Sequence, residues 1–366
     1  MEAIKVQGTP NIYRHHAGAL TDMKQVIETQ GLKKGLLVTG KASFNIAEPF
    51  INPLNLNVVM ERYNGECSRE EVDRLKEKAE TEAVDYLLAV GGGKVIDVTK
   101  ATAAAMGLPY LIVPTLASNC AAVTPLSVFY TEDGVFTDHV VFDQAAFMVA
   151  VEPGILIQTP ADYLRAGIGD TIAKWYEAKP LVALLPHQPI AVKVSQHAAK
   201  LCQDVLLAYG EAALNDQKAK QITDRFIEVV DTIILASGMV GGFGEHYGRI
   251  SGAHSIHNGL TVLEETHQHL HGDKVSYGIL VQLALFDEWD EVNHLLPFYQ
   301  ALGLPTSFFD LGIQTDLEEK WQQVARHATR DVESIHLLGK VTPDLVHHAM
   351  SELEQHVSRL RKDDAK

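Results

Sequence analysis

Histidines are concentrated in one short stretch in the second half of the chain. Six of the 17 histidines lie between positions 246 and 271. Within this stretch His254 and His257 are three residues apart and would share one face of a helix, whereas His267 and His269 are typical of surface positions. Imidazole and carboxylate groups suit divalent zinc or iron, and three protein ligands leave one coordination position open for water or a substrate. The spacing leaves two interpretations open: a metal site, or histidines that are hydrogen-bonded in the core.

A glycine-rich turn in the first half could bind phosphate groups. Gly91, Gly92, Gly93 and Lys94 come directly after an apolar segment and directly before a helical one. Glycines let the backbone approach a charged group closely, and a helix N-terminus offers unpaired N–H groups and the positive end of its dipole. This turn predicts a pyrophosphate cradle, with Asp97 in the first turn of the helix. The turn is neither a GxGxxG fingerprint nor a Walker A loop, so a glycine turn without a ligand is the alternative.

The segments around the glycine turn predict a parallel sheet covered by helices. Short apolar runs alternate with helical patterns, and the capping-box spacing of Ser68 and Glu71 marks the start of one helix. Another helix is predicted over 95–106. This alternation is typical of a mostly parallel sheet with helices on both faces. The predicted strands are 35–39, 56–60, 86–90 and 110–114, followed by a hairpin of 126–130 and 140–142 around an Asp133-Gly134 turn.

After about residue 158 the sequence changes to the period of helices. No low-complexity linker divides the two parts, so we expect them to share a close interface, and small ligands usually bind in such clefts. The sequence predicts an α/β dinucleotide-binding domain over 1–158 and an all-α metal-binding and substrate domain over 159–366. The helices predicted in the second domain are 191–209, 219–238, 274–287 and 343–360.

Composition and charge exclude several classes of protein. With 46% hydrophobic and 21% charged residues the chain lies in the ordinary globular range, and its net charge of -16 argues against a nucleic-acid partner. Cys67, Cys120 and Cys202 are scattered without a CxxC spacing, which favours a reducing compartment. The N-terminus lacks a signal-peptide pattern, and the apolar stretch 111–129 contains prolines and polar residues that are unsuited to a membrane. We expect a cytoplasmic protein that acts on a small molecule, without a membrane partner.

Four motifs, in order along the chain, resemble one enzyme family. They are GGGKVIDVTK at 91–100, VPTLASNCAAVTPLSVFYTEDG at 113–134, GIGDTIAKWYEA at 167–178, and AHSIHNG with a later HG pair within 253–272. Together they are similar to the iron-containing alcohol dehydrogenase superfamily, in its glycerol-dehydrogenase-like branch. The resemblance implies the dehydroquinate synthase-like architecture, in which a nucleotide-binding α/β domain precedes a helical domain and the active site lies in the cleft. It also implies a homo-oligomer.

The same resemblance implies which residues form the site. Asp170, His254 and His271 would bind one divalent metal ion that acts as a Lewis acid on the substrate oxygen, while the nicotinamide exchanges a hydride. His257 is a candidate proton-relay group beside the metal. The cofactor-binding residues that the resemblance implies are Gly92, Gly93, Lys94, Asp97, Thr115, Ser118, Thr124, Leu126 and Tyr130.

Two positions depart from the glycerol dehydrogenase pattern and favour an anionic substrate. Cys120 stands where glycerol dehydrogenases usually carry an aspartate that contacts the polyol. Lys174 lies one helical turn after Asp170, where relatives with four iron ligands carry a histidine. Because a charged lysine cannot ligate a metal, three protein ligands and zinc are favoured over iron. Cys120 and Lys174 make the site similar to that of hydroxycarboxylate dehydrogenases, so we expect a 2-oxo acid/2-hydroxy acid pair; a solvated Lys174 is the alternative.

A third departure concerns the choice of cofactor. Lys41 follows the strand predicted at 35–39, where NAD-dependent relatives often carry an aspartate that binds the ribose hydroxyls. A lysine would attract the 2′-phosphate of NADP instead. We therefore expect NADP to be accepted, with NAD as the alternative.

Three other functions stay open at this point. An NAD-dependent glycerol or diol dehydrogenase would share every motif and differ at Lys41, Cys120 and Lys174. A lyase on the related dehydroquinate-synthase architecture would need a cluster of cations in the cleft, and only Lys174, Arg165 and Arg249 are candidates. A cofactor-binding protein without activity is the third, and the complete set of metal-binding residue types argues against it.

Overall fold

Residues 4–151 form a parallel sheet with its helices and a separate hairpin. The structure, a computed structural model, describes residues 4–364. Its strands are β1 (Ile12–His15), β2 (Gly35–Thr39), β3 (Val58–Arg62), β4 (Tyr86–Gly91), β5 (Tyr110–Pro114), β6 (Leu126–Tyr130), β7 (Phe136–Val141) and β8 (Met148–Val151). Six strands pair in parallel in the order β1-β8-β5-β4-β2-β3, and β6 pairs with β7 in an antiparallel hairpin. The predicted α/β class is confirmed.

The predicted strands are present with small shifts. β2, β5 and β6 have the predicted bounds, and β4 extends one residue further, to Gly91. β3 begins at Val58 rather than at 56, and β7 spans 136–141 rather than 140–142. β1 and β8 have no counterpart among the predictions, because an alternation over four residues is too short to recognise.

Helices cover both faces of the sheet because strand residues alternate between two apolar clusters. The helices of this part are α1 (Ala19–Thr29), α2 (Lys41–Ile51), α3 (Arg69–Thr81) and α4 (Gly93–Met106). Leu36 and Val38 pack in the cluster that contains α3 and α4, and Leu37 packs in the cluster that contains α1 and α2, as the two-residue period of a strand requires. Ser68 caps α3 as predicted, because its hydroxyl accepts a 3.1 Å hydrogen bond from Glu71 N.

The remainder of the described chain is helical, as predicted. After the short α5 (Pro153–Leu156), a 23-residue helix, α6, crosses this part and carries the GIGD motif. Lys274 and Tyr277 are buried in the first half of another helix, α11 (His271–Leu285). The helices from α6 onward are α6 (Ala161–Ala183), α7 (Ile190–Lys218), α8 (Asp224–Asp231), α9 (Ser237–Gly244), α10 (Gly252–Leu260), α11 (His271–Leu285), α12 (Trp289–Leu302), α13 (Leu317–Ala328) and α14 (Pro343–Asp364).

The helix predicted over 219–238 is present, but it begins at Asp224 rather than at 219 and continues, through a π-helical turn, to Gly244. α7 continues to Lys218, and the chain then reverses at Lys220, whose φ of +57° is left-handed. Thr223 caps α8 with its side chain, and Thr232–Ala236 forms a π-helical turn between α8 and α9. A reversal at one residue changes the spacing of apolar side chains very little, so the periodicity did not reveal it.

One helical segment has the length and composition of a membrane span. Asp224–Tyr247 has a mean hydropathy of 1.6, and 67% of its apolar window is buried inside the protein. The core helix of a soluble protein passes the same test, and the buried side chains of α8 and α9 lie against α7. The apolar character of this segment is therefore accounted for by packing within the protein.

Candidate active site

The loops after β2 and β4 meet at the carboxyl ends of the sheet. The chain leaves β2 towards β3 and leaves β4 towards β5, which lie on opposite sides. Dinucleotides bind at such a topological switch point in open α/β sheets. Thr39, at the end of β2, donates a 2.7 Å hydrogen bond from its hydroxyl to the carbonyl of Val90 in β4. The predicted Lys41 and the glycine turn therefore flank one crevice.

The glycine turn ends β4 and begins α4. The first helical hydrogen bond joins Ile96 N to Gly92 O at 3.1 Å, so the N–H groups of the preceding helical residues have no partner within the helix. A Cβ at Gly92 would lie 2.8 Å from a Leu116 methyl group, and a Cβ at Gly93 would lie 3.3 Å from the Asn119 amide. Because these positions are glycines, segment 115–119 can pack beside the helix N-terminus without a clash. No side chain at these two positions covers the N–H groups, which an anion could therefore reach.

Lys94 and Asp97, which follow the glycines, both form ion pairs within the protein. The Lys94 ammonium pairs with Glu66 and lies 5.3 Å above the centre of the Tyr130 ring. Asp97 is buried, pairs with Lys100 at 2.8 Å and accepts a hydrogen bond from Val128 N. Burial raises the pKa of Asp97, opposed by the Lys100 charge. These contacts do not support the predicted contact between Asp97 and the cofactor, because its carboxylate is occupied within the protein.

Lys100, which the sequence did not indicate as important, holds the segment between β5 and β6 in place. Its side chain is 1% exposed, and its ammonium donates to the carbonyls of Ala121 (2.9 Å), Thr124 (3.1 Å) and Leu126. Together with Asp97 it fixes the segment that joins β5 to β6. In sequence it resembled a solvated helix lysine; its signal was the position three residues after Asp97 in a helix that is otherwise mostly Val, Ile, Ala and Thr.

The other predicted cofactor residues lie along that same segment. Thr115 N donates to Gly91 O at 3.0 Å, and the buried Thr115 hydroxyl has no hydrogen-bond partner among the described residues. Lys41 is exposed at the start of α2, and Arg62 donates a 2.6 Å hydrogen bond to Gly40 O, which brings a second cation to this loop. The remaining predicted residues are partly exposed: Ser118, Thr124, Leu126 and Tyr130.

Glycines in α6 and α11 bring the metal-binding motifs together. A Cβ at Gly167 would lie 2.2 Å from Ala117 O, so α6 packs directly on the backbone of segment 115–119. A Cβ at Gly169 would lie 2.7 Å from Gly272 O, and one at Gly272 would lie 1.7 Å from Ala166 O. The GIGD and HG motifs are therefore points of backbone contact. This contact brings the side chains of Asp170 and His271 close together.

Asp170, His254 and His271 lie together, with one potential ligand atom from each within 4.8 Å of the others. Asp170 Oδ1 is 3.3 Å from His254 Nε2 and 3.4 Å from His271 Nε2, yet it is buried without a properly oriented hydrogen bond among the described residues. Ligands at about 2.0–2.2 Å around tetrahedral zinc are about 3.3–3.6 Å apart. The three residues therefore fit a divalent metal ion, which would satisfy the unpartnered oxygen.

The charges of these residues determine what a metal ion must displace. Burial opposes the charge on His254, but Glu177 and Asp170 outweigh it and raise the pKa of His254 to about 9, so a bound metal ion would replace a proton on this ring. Burial opposes the charge on Asp170, but Lys174, His254 and His271 outweigh it and hold the pKa of Asp170 well below its usual value. Burial, followed by the neighbouring His271, lowers the pKa of His257 well below its usual value. Asp170 is thus an anion and His257 a neutral imidazole at neutral pH.

His257 contacts a metal-site histidine rather than the metal-binding face. Its Nε2 is 3.0 Å from His271 Nδ1, and its Nδ1 is 3.0 Å from Asn258 Oδ1, while Asn258 donates to Glu333 at 2.8 Å. This chain fixes the ring of His271 with Nε2 towards Asp170. The geometry favours a role for His257 in orienting His271 over the direct proton relay that was predicted.

Lys174 is buried beside Asp170 on α6. The one hydrogen bond of its ammonium to a described residue reaches Arg249 O at 3.4 Å, and no described carboxylate lies within ion-pair distance. Burial opposes the charge, but Asp170 and then Cys120 outweigh it and raise the pKa of Lys174. The Arg249 guanidinium has no hydrogen-bond or ion-pair partner in residues 4–364; burial lowers its pKa, opposed by Cys120 and Glu245. Two cations without a carboxylate partner among the described residues therefore lie near Cys120.

Comparisons with known proteins agree with this architecture. Residues 10–151 match the family described as iron-containing alcohol dehydrogenase. Hydroxycarboxylate dehydrogenase A of Escherichia coli (strain K12) is 40% identical over 96% of this chain and 98% of that protein. Glycerol dehydrogenase of Citrobacter freundii is 36% identical over 79% of this chain and 80% of that protein. The crystal structure of a probable glycerol dehydrogenase from Sinorhizobium meliloti 1021 superposes with a TM-score of 0.86, 31% identity, and coverage of 96% and 99%.

Proposed function

The chain belongs to the iron-containing alcohol dehydrogenase family, and we propose that within it this enzyme interconverts a small 2-oxo acid and its 2-hydroxy acid with a nicotinamide cofactor. Its relatives are hydroxycarboxylate and glycerol dehydrogenases, and the protein is an oxidoreductase of that kind, acting on the CH–OH group of donors. The substrate class is the proposed part, and one observation carries it: the unpaired Lys174 ammonium beside the metal-binding residues.

A substrate carboxylate would supply the missing partner of Lys174. Asp170 stabilises the charge of Lys174, but an ammonium has three N–H donors and this one makes a single long hydrogen bond to a described residue, so a carboxylate would accept from the donors that remain. Arg249 is the second unpaired cation here, and a guanidinium binds a carboxylate through two parallel hydrogen bonds. Cys120, in place of an aspartate, removes an anion that would repel this group. The three residues together favour a 2-oxo acid over a neutral polyol.

The metal site and the crevice supply the chemistry. Asp170, His254 and His271 would hold a divalent ion, with zinc favoured over iron, and such an ion supplies Lewis-acid polarisation of the substrate oxygen. A nicotinamide supplies or accepts the hydride, and the glycine turn with segment 115–119 would hold its phosphates. Lys174 and Arg249 then fix the substrate by its carboxylate, which orients the adjacent 2-oxo carbon towards the cofactor crevice.

NADP is the proposed cofactor, with NAD as the alternative. The exposed Lys41 and the neighbouring Arg62 offer two cations beside the loop after β2 and no carboxylate in that turn. In related sheets this loop meets the ribose that carries the 2′-hydroxyl or 2′-phosphate. For Lys41→Asp we expect kcat/KM for NADPH to fall at least tenfold relative to NADH. An unchanged ratio would contradict the assignment.

We also propose residues 158 and 159 as the boundary between the two domains. The last strand of the sheet ends at Val151, and α6 begins at Ala161. The short α5 lies between them and ends at Leu156. The proposed boundary therefore falls in the connection between α5 and α6.

The decisive experiment compares substrates in matched variants. Metal-loaded enzyme is assayed with 2-oxobutanoate, 2-oxoglutarate and glycerone using NADPH and NADH. We expect activity with the 2-oxo acids, and for Lys174→Met a rise of at least tenfold in their KM with the KM for glycerone changed less than threefold. Lys179→Met, an exposed lysine on the same helix, is the control. Activity confined to glycerone and glycerol would establish a glycerol dehydrogenase instead.

A further inference from the structure

A second carboxylate on α6, Glu177, contacts the predicted metal ligand His254 at Nδ1, the ring nitrogen that does not face Asp170. Glu177 lies seven residues after Asp170, is 2% exposed and faces the start of α10. Its Oε1 accepts hydrogen bonds from the backbone N–H of Ser251 at 2.7 Å and of His254 at 3.0 Å, and its Oε2 lies 2.7 Å from His254 Nδ1. One side chain therefore fixes both the backbone and the ring of His254.

These contacts determine which ring nitrogen of His254 carries a proton. The Glu177 carboxylate is an acceptor, so Nδ1 must donate to it. In a neutral imidazole the lone pair then lies on Nε2, which is the atom 3.3 Å from Asp170 Oδ1. A ligating nitrogen needs that lone pair, and a carboxylate behind the ring also increases its basicity.

Within residues 4–364 the Glu177 carboxylate has no other hydrogen-bond partner that would explain its burial. All three of its hydrogen bonds go to residues 251–254, although a buried carboxylate could pair with a cation. Lys174 acts on it electrostatically, yet no ion pair joins them. The spacing 170, 174 and 177 places these three charged residues along one face of α6, so the same helix supplies a predicted metal ligand and the support of another.

We propose that Glu177 is a positioning residue for the metal centre, which holds His254 in the Nδ1–H tautomer and directs Nε2 at the ion. This inference rests on the proposed metal-dependent function. The backbone hydrogen bonds tie the position of α10 to α6, so the ring and its helix are fixed together. Among the described residues, the partner of His271 Nδ1 is the neutral His257, so the support of His254 is the stronger, charge-assisted one.

Glu177→Gln tests this with a side chain of the same shape. The amide oxygen can keep the backbone hydrogen bonds, but the amide NH2 then faces His254 Nδ1 and requires the opposite tautomer, with the proton on Nε2. Zinc affinity is measured by competition between the purified protein and a chromophoric chelator, and the unfolding of the metal-free protein is measured alongside. Glu152→Gln is the control, since Glu152 is also buried and also accepts backbone N–H groups, from Gly18 and Gly154.

We expect Glu177→Gln to weaken zinc binding ten- to a hundredfold, the loss typical of residues that support a metal-binding histidine, and Glu152→Gln to change it less than threefold. A change below threefold in Glu177→Gln, while Asp170→Asn abolishes zinc binding, would overturn the role of Glu177 and leave the metal site intact. A wild-type protein that binds no zinc or iron would overturn the proposed function itself. If Glu177→Gln does not fold, Glu177→Asp is judged by the same threefold limit.

Discussion

Replacing Lys100 with methionine should disrupt the segment that closes over the cofactor crevice. Lys100 is paired with the buried Asp97 and donates to three backbone carbonyls between residues 121 and 126. Methionine fills a similar volume but leaves Asp97 with the single hydrogen bond from Val128 N. Removal of one partner from a buried ion pair costs about 3–5 kcal/mol. We expect a loss of that order in the free energy of unfolding at pH 8, and a raised KM for the nicotinamide cofactor.

The pH dependence of this loss has a defined sign. Burial already raises the pKa of Asp97, and loss of Lys100 raises it further, so the folded variant binds a proton that the unfolded chain releases. Stability of the variant therefore falls as pH rises from the usual pKa of aspartate towards the folded one. The destabilisation by Lys100→Met should be smaller at pH 5 than at pH 8. Asp97→Asn/Lys100→Met should recover at least ~1 kcal/mol at pH 8, because the unpaired charge is gone.

Urea unfolding followed by circular dichroism is the suitable assay. Trp175, Trp289 and Trp321 all lie beyond residue 158, so tryptophan fluorescence would report on the helical part alone. Lys220→Met is the control, since Lys220 donates to the carbonyls of Ile157 and Thr159 and has no carboxylate partner in the part of the chain that the structure describes. A Lys100→Met protein within ~1 kcal/mol of wild type at pH 8 would refute the reasoning.

Two further predictions concern the helical part. Burial raises the pKa of Glu354 to about 7 although Phe308 N and Tyr277 OH donate to it, so ionisation above that pH costs stability on the order of 3 kcal/mol. Glu354→Gln should raise the midpoint of thermal unfolding at pH 8.5 and leave it nearly unchanged at pH 5; equal effects at both pH values would count against this. Gly272→Ala places a Cβ 1.7 Å from Ala166 O, so α11 must move. We expect the zinc affinity, measured by competition with a chelator, to fall at least tenfold. A zinc affinity equal to that of the wild type would show that the contact between α11 and α6 can relax.

The sequence predicted the features that depend on local patterns. The apolar runs of β2, β4 and β5 and the Ser68 cap depend on a few neighbouring residues, and these predictions are confirmed. The reversal at Lys220 and the four-residue strands β1 and β8 left no such pattern, so they were missed. The gathering of Asp170, His254 and His271 was implied by the family resemblance, since no local spacing relates α6 to α10 and α11.

Charged residues inside helices were the hardest to interpret. Asp97, Lys100 and Glu177 have the sequence appearance of solvated helix residues, and all three are buried in tertiary hydrogen bonds. Their partners are mostly backbone groups from distant segments, which no spacing along the helix can indicate. The available signal was the spacing of the charges within otherwise apolar helices: Asp97 and Lys100 are three residues apart on α4, and Glu177 follows Lys174 by three residues on α6.

The balance of buried charge explains why an anionic substrate and a metal ion belong together in the proposed function. Asp170 and Glu177 contribute two negative charges and Lys174 one positive charge, which leaves an excess of one negative charge among the buried groups of α6. Arg249 and His254, whose pKa is raised to about 9, add two positive charges, so the metal-free site carries an excess of one positive charge at neutral pH. A divalent cation that displaces the His254 proton raises this excess to two. Buried charges are tolerated when they are compensated, so a carboxylate is held more favourably in the loaded site than in the metal-free one. The metal-free protein should accordingly bind 2-oxobutanoate more weakly than the zinc-loaded protein does. Replacement of Lys174 should reduce the affinity for glycerone less than it reduces the affinity for 2-oxobutanoate.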